Sequence, residues 1–214
     1  MNQHHARRFV TPFILSVLTS TLLFAQNAEQ NAADAERVIK ALDIHAGSTV
    51  GEIGAGDGAL TLAIAKAVGG AGRVLSNEFN KDRLAGIGRA AAQAGLTNVA
   101  TIEGRETETN FPDQCCDGIF MRNVYHHFGD PGAMNASLFR SLRPGARLAV
   151  MDFGPPPGAE SATPAGRSQD GHHGVTLATL ERELKAAGFE IVSSTEWEPR
   201  VFMIVARRPG CPRP

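Results

Sequence analysis

Three glycines at alternate positions, in Glu52-Ile53-Gly54-Ala55-Gly56-Asp57-Gly58-Ala59-Leu60, constrain this chain more than any other feature. They follow a short apolar strand pattern, Thr49–Ile53, and precede a helical pattern from Leu60 to Val68 that Gly69-Gly70 stops. Glycine enters left-handed backbone at little cost and presents no Cβ to an approaching ligand. A strand, a glycine-rich turn and a helix N-terminus, in that order, build the nucleotide-cofactor corner of open α/β sheets. The chain that carries such a corner must then supply more strands and the helices that cross between them.

The rest of the sequence does so. Ala32–Leu42 reads as an amphipathic helix with Ala35, Val38, Ile39 and Leu42 on one face. Arg73–Asn77 is a second strand, and Asn80 caps a helix to about Gln93 that Gly95 ends. Val99–Ile102 and Asp117–Arg122 are the third and fourth strands. Asp130-Pro131 opens a helix to Leu142, and Pro144-Gly145 turns the chain into a fifth strand, Arg147–Asp152. A helix from Thr176 to Ala187 ends at Gly188. Phe189–Thr195 and Arg200–Ala206 then follow one another with only a turn at Glu198-Pro199, so they pair antiparallel. The expected fold is a Rossmann-like open sheet of seven strands, mostly parallel with an antiparallel last strand and helices on both faces. The Pro-, Gly- and Ser-rich segment Gly154–Gly174 is a loop long enough to expect function or disorder.

A net charge of -1 in 214 residues offers no electrostatic footprint for nucleic acid. One Trp and one Tyr also leave little for base stacking. Arg7-Arg8, the apolar run Phe9–Phe24 and Ala25 before a polar stretch have the layout of a secretory signal peptide. The expected layout is a leader or anchor over 1–25, an N-terminal helix and lead-in over 26–47, a catalytic domain over 48–208 and a tail over 209–214. Localisation follows the leader: exported, or anchored by it if uncleaved, and cytoplasmic if it is inactive. Membrane contact is expected only through that leader. Cys115, Cys116 and Cys211 cannot all pair within one chain. The expectation is idle thiols, with export permitting a bridge from Cys211 to one of the other two. Nothing in the sequence sets an oligomeric state.

With these motifs in order, the chain from Ala35 to Arg207 resembles the class I S-adenosylmethionine-dependent methyltransferases, the broad group that includes quinone-biosynthesis methyltransferases. Glu52 to Gly58 is similar to their acidic–x–Gly–x–Gly–x–Gly motif. Asn77-Glu78-Phe79 matches the acidic residue ending their second strand. Asp117 to Phe120, continuing through Val124-Tyr125-His126-His127-Phe128, resembles their fourth-strand motif. Leu142-Arg143-Pro144-Gly145 and Ala187-Gly188-Phe189 resemble two later turns. The resemblance implies S-adenosylmethionine as cofactor, held by Glu52, Ile53, Gly54, Ala55, Gly56, Gly58, Glu78, Phe79, Arg105, Glu106, Arg122 and Asn123. Glu78 would accept both ribose hydroxyls. The chain departs from the family's usual Gly-Asp-Ala after the third strand. Glu103-Gly104-Arg105-Glu106 puts Arg105 where the adenine-binding Asp stands, so Glu106 or a main-chain carbonyl must take that contact.

Methyl transfer asks mainly for alignment of nucleophile, methyl and sulfonium, with a general base for an oxygen or nitrogen nucleophile. Tyr125, His126 and His127 follow the fourth strand and are the candidate catalytic residues, with Asp152 second. The other reading of the histidines is that they cap the next segment or pack on the cofactor. The acceptor is expected to be a small molecule, its attacking atom (O, N or C) left open. His172-His173 could join His126, His127 and Asp152 around a metal, but no spacing is diagnostic, and no resident metal is expected. Two other functions fit parts of the chain. Gly54, Gly56, Ala59 and Glu78 suit an NAD-dependent oxidoreductase, against which Tyr125 lacks a Lys four residues on. A non-catalytic cofactor-binding protein would reconcile export with a cofactor made in the cytoplasm.

Overall fold

The computed structural model describes residues 13–210, so the start of the expected leader and Cys211 lie outside the described residues. The elements run α1 Phe13–Leu42, β1 Thr49–Ile53, α2 Ala59–Val68, β2 Arg73–Glu78, α3 Lys81–Gln93, β3 Val99–Glu103 and β4 Cys116–Arg122. After a 3₁₀ turn at Tyr125–His127 come α4 Pro131–Ser141, β5 Leu142–Phe153, a second 3₁₀ turn at Pro164–Ser168, α5 Leu177–Ala186, β6 Glu190–Glu198 and β7 Val201–Arg207.

All seven strands form one sheet in the order β3-β2-β1-β4-β5-β7-β6. The first five are parallel to one another, and β7 is antiparallel to both β5 and β6. The chain walks outward from β1 through β2 to β3, then restarts at β4 on the other side of β1. The carboxyl ends of β1 and β4 therefore diverge, and a crevice opens there in any sheet wound this way.

One apolar cluster packs Ala35, Val38 and Leu42 of α1 against Leu60, Ile64 and Val68 of α2 and the β1–β2 face. The other joins Met134 and Leu138 of α4 and Leu180 and Leu184 of α5 to β4, β5 and β7. Each helix thus buries one stripe against one sheet face, which makes the three-layer architecture. The caps follow the expected chemistry. Asn80 accepts from the amides of Asp82 and Arg83, Asp130 from Ala133, and Thr176 from Thr179.

Three elements differ from the sequence expectation. Helix α1 starts well before Ala32, because residues 13–42 contain no Gly or Pro to stop it; the apolar periodicity marks only the part that packs. It passes through the residues where leader and mature chain were expected to part. Strand β5 begins at Leu142, which pairs with Cys116 before a register break; Gly145, at φ 85°, is absorbed as an irregularity. Cys115 is joined to Cys116, so the neighbours pair with each other. Among the described residues no helix is long and apolar enough to cross a membrane.

Candidate active site

The crevice holds a cavity of about 780 Å³, within the range of small-molecule sites. Its walls come from the chain just after four parallel strands: Gly54 and Gly56 after β1, Glu78 and Phe79 at the end of β2, Glu106 and Thr107 after β3, and Arg122 to Val124 at the end of β4. Arg83 on α3 and the segment His127–Asp130 complete it.

The three motif glycines have distinct jobs. All lie in the left-handed region, with φ of 68° at Gly54, 59° at Gly56 and 81° at Gly58. A Cβ on Gly54 would stand 2.5 Å from Val124 Cγ2, and one on Gly58 2.8 Å from Ile87 Cγ1. Those two let neighbouring elements close up. A Cβ on Gly56 would meet no protein atom within 4 Å. Its open side faces the cavity, where a ligand can lie against the main chain.

The Glu78 carboxylate sits beside that opening. Oε2 accepts the Gly56 N–H at 2.8 Å and Oε1 the Asn80 N–H at 3.0 Å. Each oxygen keeps acceptor capacity for a further donor, which suits a vicinal diol. Arg122 is steadied from α1: Nη1 donates to Asn31 at 2.7 Å and to Asp34 at 2.9 Å.

Residues 50–145 match the family described as methyltransferase domain. Over these residues the chain is similar to a methyltransferase domain. The open Gly56 and the diol-ready Glu78 fit the S-adenosylmethionine that the motifs imply. The ubiquinone/menaquinone biosynthesis C-methyltransferase UbiE of Marinomonas sp. (strain MWYL1) is 32% identical over 114 residues, covering 53% of this chain and 45% of that protein. The Vibrio campbellii (strain ATCC BAA-1116) protein of the same name is 31% identical over 112 residues, covering 51% and 43%. The chain thus spans less than half the length of these relatives. Among solved structures, a SAM-dependent methyltransferase from Aquifex aeolicus superposes with a TM-score of 0.70 over 82% of this chain and 89% of that one, at 24% identity.

The structure brings Gly54, Gly56, Glu78, Phe79, Glu106, Arg122 and Asn123 of the motif residues together at the cavity. It keeps others away from it. Ile53 and Ala55 are buried in the main-chain turn. Glu52 points inward, where the Thr61 hydroxyl donates to it; burial pushes its carboxyl up to about 8. Gly58 caps α2. Arg105 turns outward to pair with Glu108, leaving Glu106 on the cavity wall in its place. Arg83 went unforeseen; its signal is the helix register, since it sits in the first turn after the Asn80 cap.

Tyr125, His126 and His127 diverge. The Tyr125 hydroxyl is buried, donates to Glu183 at 3.0 Å and accepts from Asn135 at 2.7 Å; burial raises its pKa. It does not line the cavity. His126 is buried, with Nδ1 2.7 Å from Asp152 Oδ1 and Nε2 2.9 Å from His173 Nε2. His127 does line the cavity, and its Nδ1 lies 3.1 Å from Ser168 Oγ. Desolvation, then His126 and His173, hold its pKa below the usual imidazole value.

The long loop is pinned rather than loose. Arg167, buried to 4% exposure, reaches Glu183 through Nη1 at 3.0 Å and Nη2 at 2.6 Å. That fork holds Ser168 and His173 over the two histidines.

Proposed function

We propose that this protein transfers the methyl group of S-adenosylmethionine to a small-molecule acceptor in the cavity between β1 and β4. The observation that carries the reading is the Gly56–Glu78 pair: one open left-handed glycine and one diol-ready carboxylate, side by side at the switch point. When bound, the cofactor supplies an electrophilic methyl on a cationic sulfur. Gly56 lets it approach the main chain, and Glu78 accepts its ribose hydroxyls. Glu78, Glu106 and Asp130 on the cavity wall complement its positive charge.

Val124, Phe128 and His127 form the wall left for the acceptor. Holding the acceptor in line with the methyl supplies much of the rate. The histidine cluster at that wall is where a proton leaves an oxygen or nitrogen acceptor. A cavity of this size, in a chain of net charge -1, suits a small molecule better than a nucleic acid. We propose also that residues 1–25 direct the chain out of the cytoplasm, which fractionation of cells expressing it tests.

The test of the function is calorimetric titration of the full chain with S-adenosylmethionine, S-adenosylhomocysteine and NAD, repeated on Glu78→Ala. Micromolar binding of the first two, lost in the variant and absent for NAD, is the expected result. Binding of NAD alone overturns the reading.

A further inference from the structure

The ring nitrogens of His126, His127 and His173 lie within 4.8 Å of one another, although the three residues come from two separate loops. Hydrogen bonds fix which nitrogens are free. Asp152 is wholly buried, and its Oδ1 takes the His126 Nδ1–H, so His126 offers the Nε2 lone pair. The Ser168 hydroxyl donates to the His126 carbonyl at 3.3 Å, so its oxygen accepts from His127 Nδ1–H, and His127 likewise offers Nε2. His173 Nε2–H donates to the His126 lone pair at 2.9 Å, so His173 ligates as its other tautomer, with the proton on Nδ1 and the metal in place of the shared proton. His172, next in sequence, is not part of the group: its Nδ1 is 2.7 Å from the Ala159 carbonyl.

We infer that His126, His127 and His173 form a divalent transition-metal site, for zinc in the first instance, with Asp152 behind His126 as its orienting carboxylate. Three neutral imidazoles suit zinc and its neighbours; magnesium asks for oxygen ligands. Tetrahedral zinc with bonds of about 2.0–2.1 Å holds its nitrogens about 3.3 Å apart. The closest pair must open by a few tenths of an ångström, and the widest must draw in. A metal-bound His usually gives its second ring N–H to a carboxylate or carbonyl, and the Asp152–His126 bond is already of that kind. Three protein ligands leave a fourth position, and His127 is the ligand that lines the cavity. A hydroxyl or amine of the acceptor, coordinated there, would lose its proton more readily. That last role rests on the methyl-transfer reading; the site itself does not.

The experiment is metal analysis of the full chain, stripped with chelator, equilibrated with zinc and desalted, with cobalt as a spectroscopic stand-in. We expect about one zinc per chain and a tetrahedral cobalt spectrum. His172→Ala should match the unaltered chain, while His127→Ala and His173→Ala should lose the metal. Both of those rings are exposed, so the substitutions spare the core. Asp152→Asn should weaken zinc by about 10–100-fold. No zinc retained by the unaltered chain, or equal retention by His173→Ala, overturns the inference. Titration of S-adenosylmethionine into the same stripped samples reports on the cofactor reading separately.

Discussion

The Glu78 carboxylate accepts the backbone N–H of Gly56 at 2.8 Å, tying the end of β2 to the turn after β1 at the wall of the cavity. Glutamine at 78 keeps the shape but turns one acceptor into a donor facing another N–H, either that of Gly56 or that of Asn80. Glu78→Gln should weaken S-adenosylmethionine by roughly ten- to a hundredfold, the cost of about 1–3 kcal/mol for a hydrogen bond to a charged group. Titration calorimetry reads the loss. Undiminished affinity would show that the carboxylate does not meet the ribose.

Gly54 and Gly56 share a backbone conformation but not an environment, so the same substitution should fail in different ways. Gly54→Ala adds a methyl 2.5 Å from Val124 Cγ2, at φ 68°. It should cost about 1–3 kcal/mol of stability, and Val124→Ala in the same chain should return part of it. Gly56→Ala meets no protein atom. It should cost only about 1 kcal/mol of backbone strain, yet lose cofactor binding because the methyl occupies the ligand's space. Urea denaturation and cofactor titration on both variants separate the two effects.

The loop over the histidines should depend on one ion pair. Arg167 and Glu183 are both largely buried, at side-chain exposures of 5% and 18%. Breaking one side of such a pair leaves the other charge without a partner, at a cost of about 3–5 kcal/mol where burial is complete. Glu183→Gln should destabilise by somewhat less, since Glu183 is partly solvated. It should also raise hydrogen exchange across residues 164–174 before the sheet opens. Exchange unchanged in that segment would mean that other contacts seat the loop.

The parallel strands and the Asn80 and Asp130 caps were legible because each is a local signal: a short apolar run, a glycine stop, a side chain that bonds its own helix. The open corner at Gly54–Gly58 was legible for the same reason. What was not legible depends on contacts distant in sequence. Arg105 reads as one of the residues around the cofactor until Glu108, three residues on, is seen to draw it outward. Tyr125 reads as catalytic beside two histidines until Glu183 and Asn135 claim its hydroxyl. The Gly154–Gly174 loop reads only as functional or disordered because its composition hides Arg167, whose partner lies on a later helix. His173 comes against His126 from that same loop.

Glu52 gives the fold a pH dependence opposite to that of a paired carboxylate. Burial moves its carboxyl from 4.5 to about 8, against the opposing pull of the Thr61 hydroxyl and Arg122. Between those values the folded chain keeps a proton that the unfolded chain has released. Stability from this group is therefore complete below about 4.5, falls as pH rises to about 8, and levels off above. A shift of that size is worth on the order of 3–5 kcal/mol across the window. Glu52→Gln mimics the protonated form and cannot ionise, so its stability should be flat there and exceed that of the unaltered chain at the alkaline end. Urea midpoints measured across the window check both slopes. Parallel curves for the two chains would mean that Glu52 ionises normally inside the fold, with Arg122 and Thr61 outweighing its desolvation.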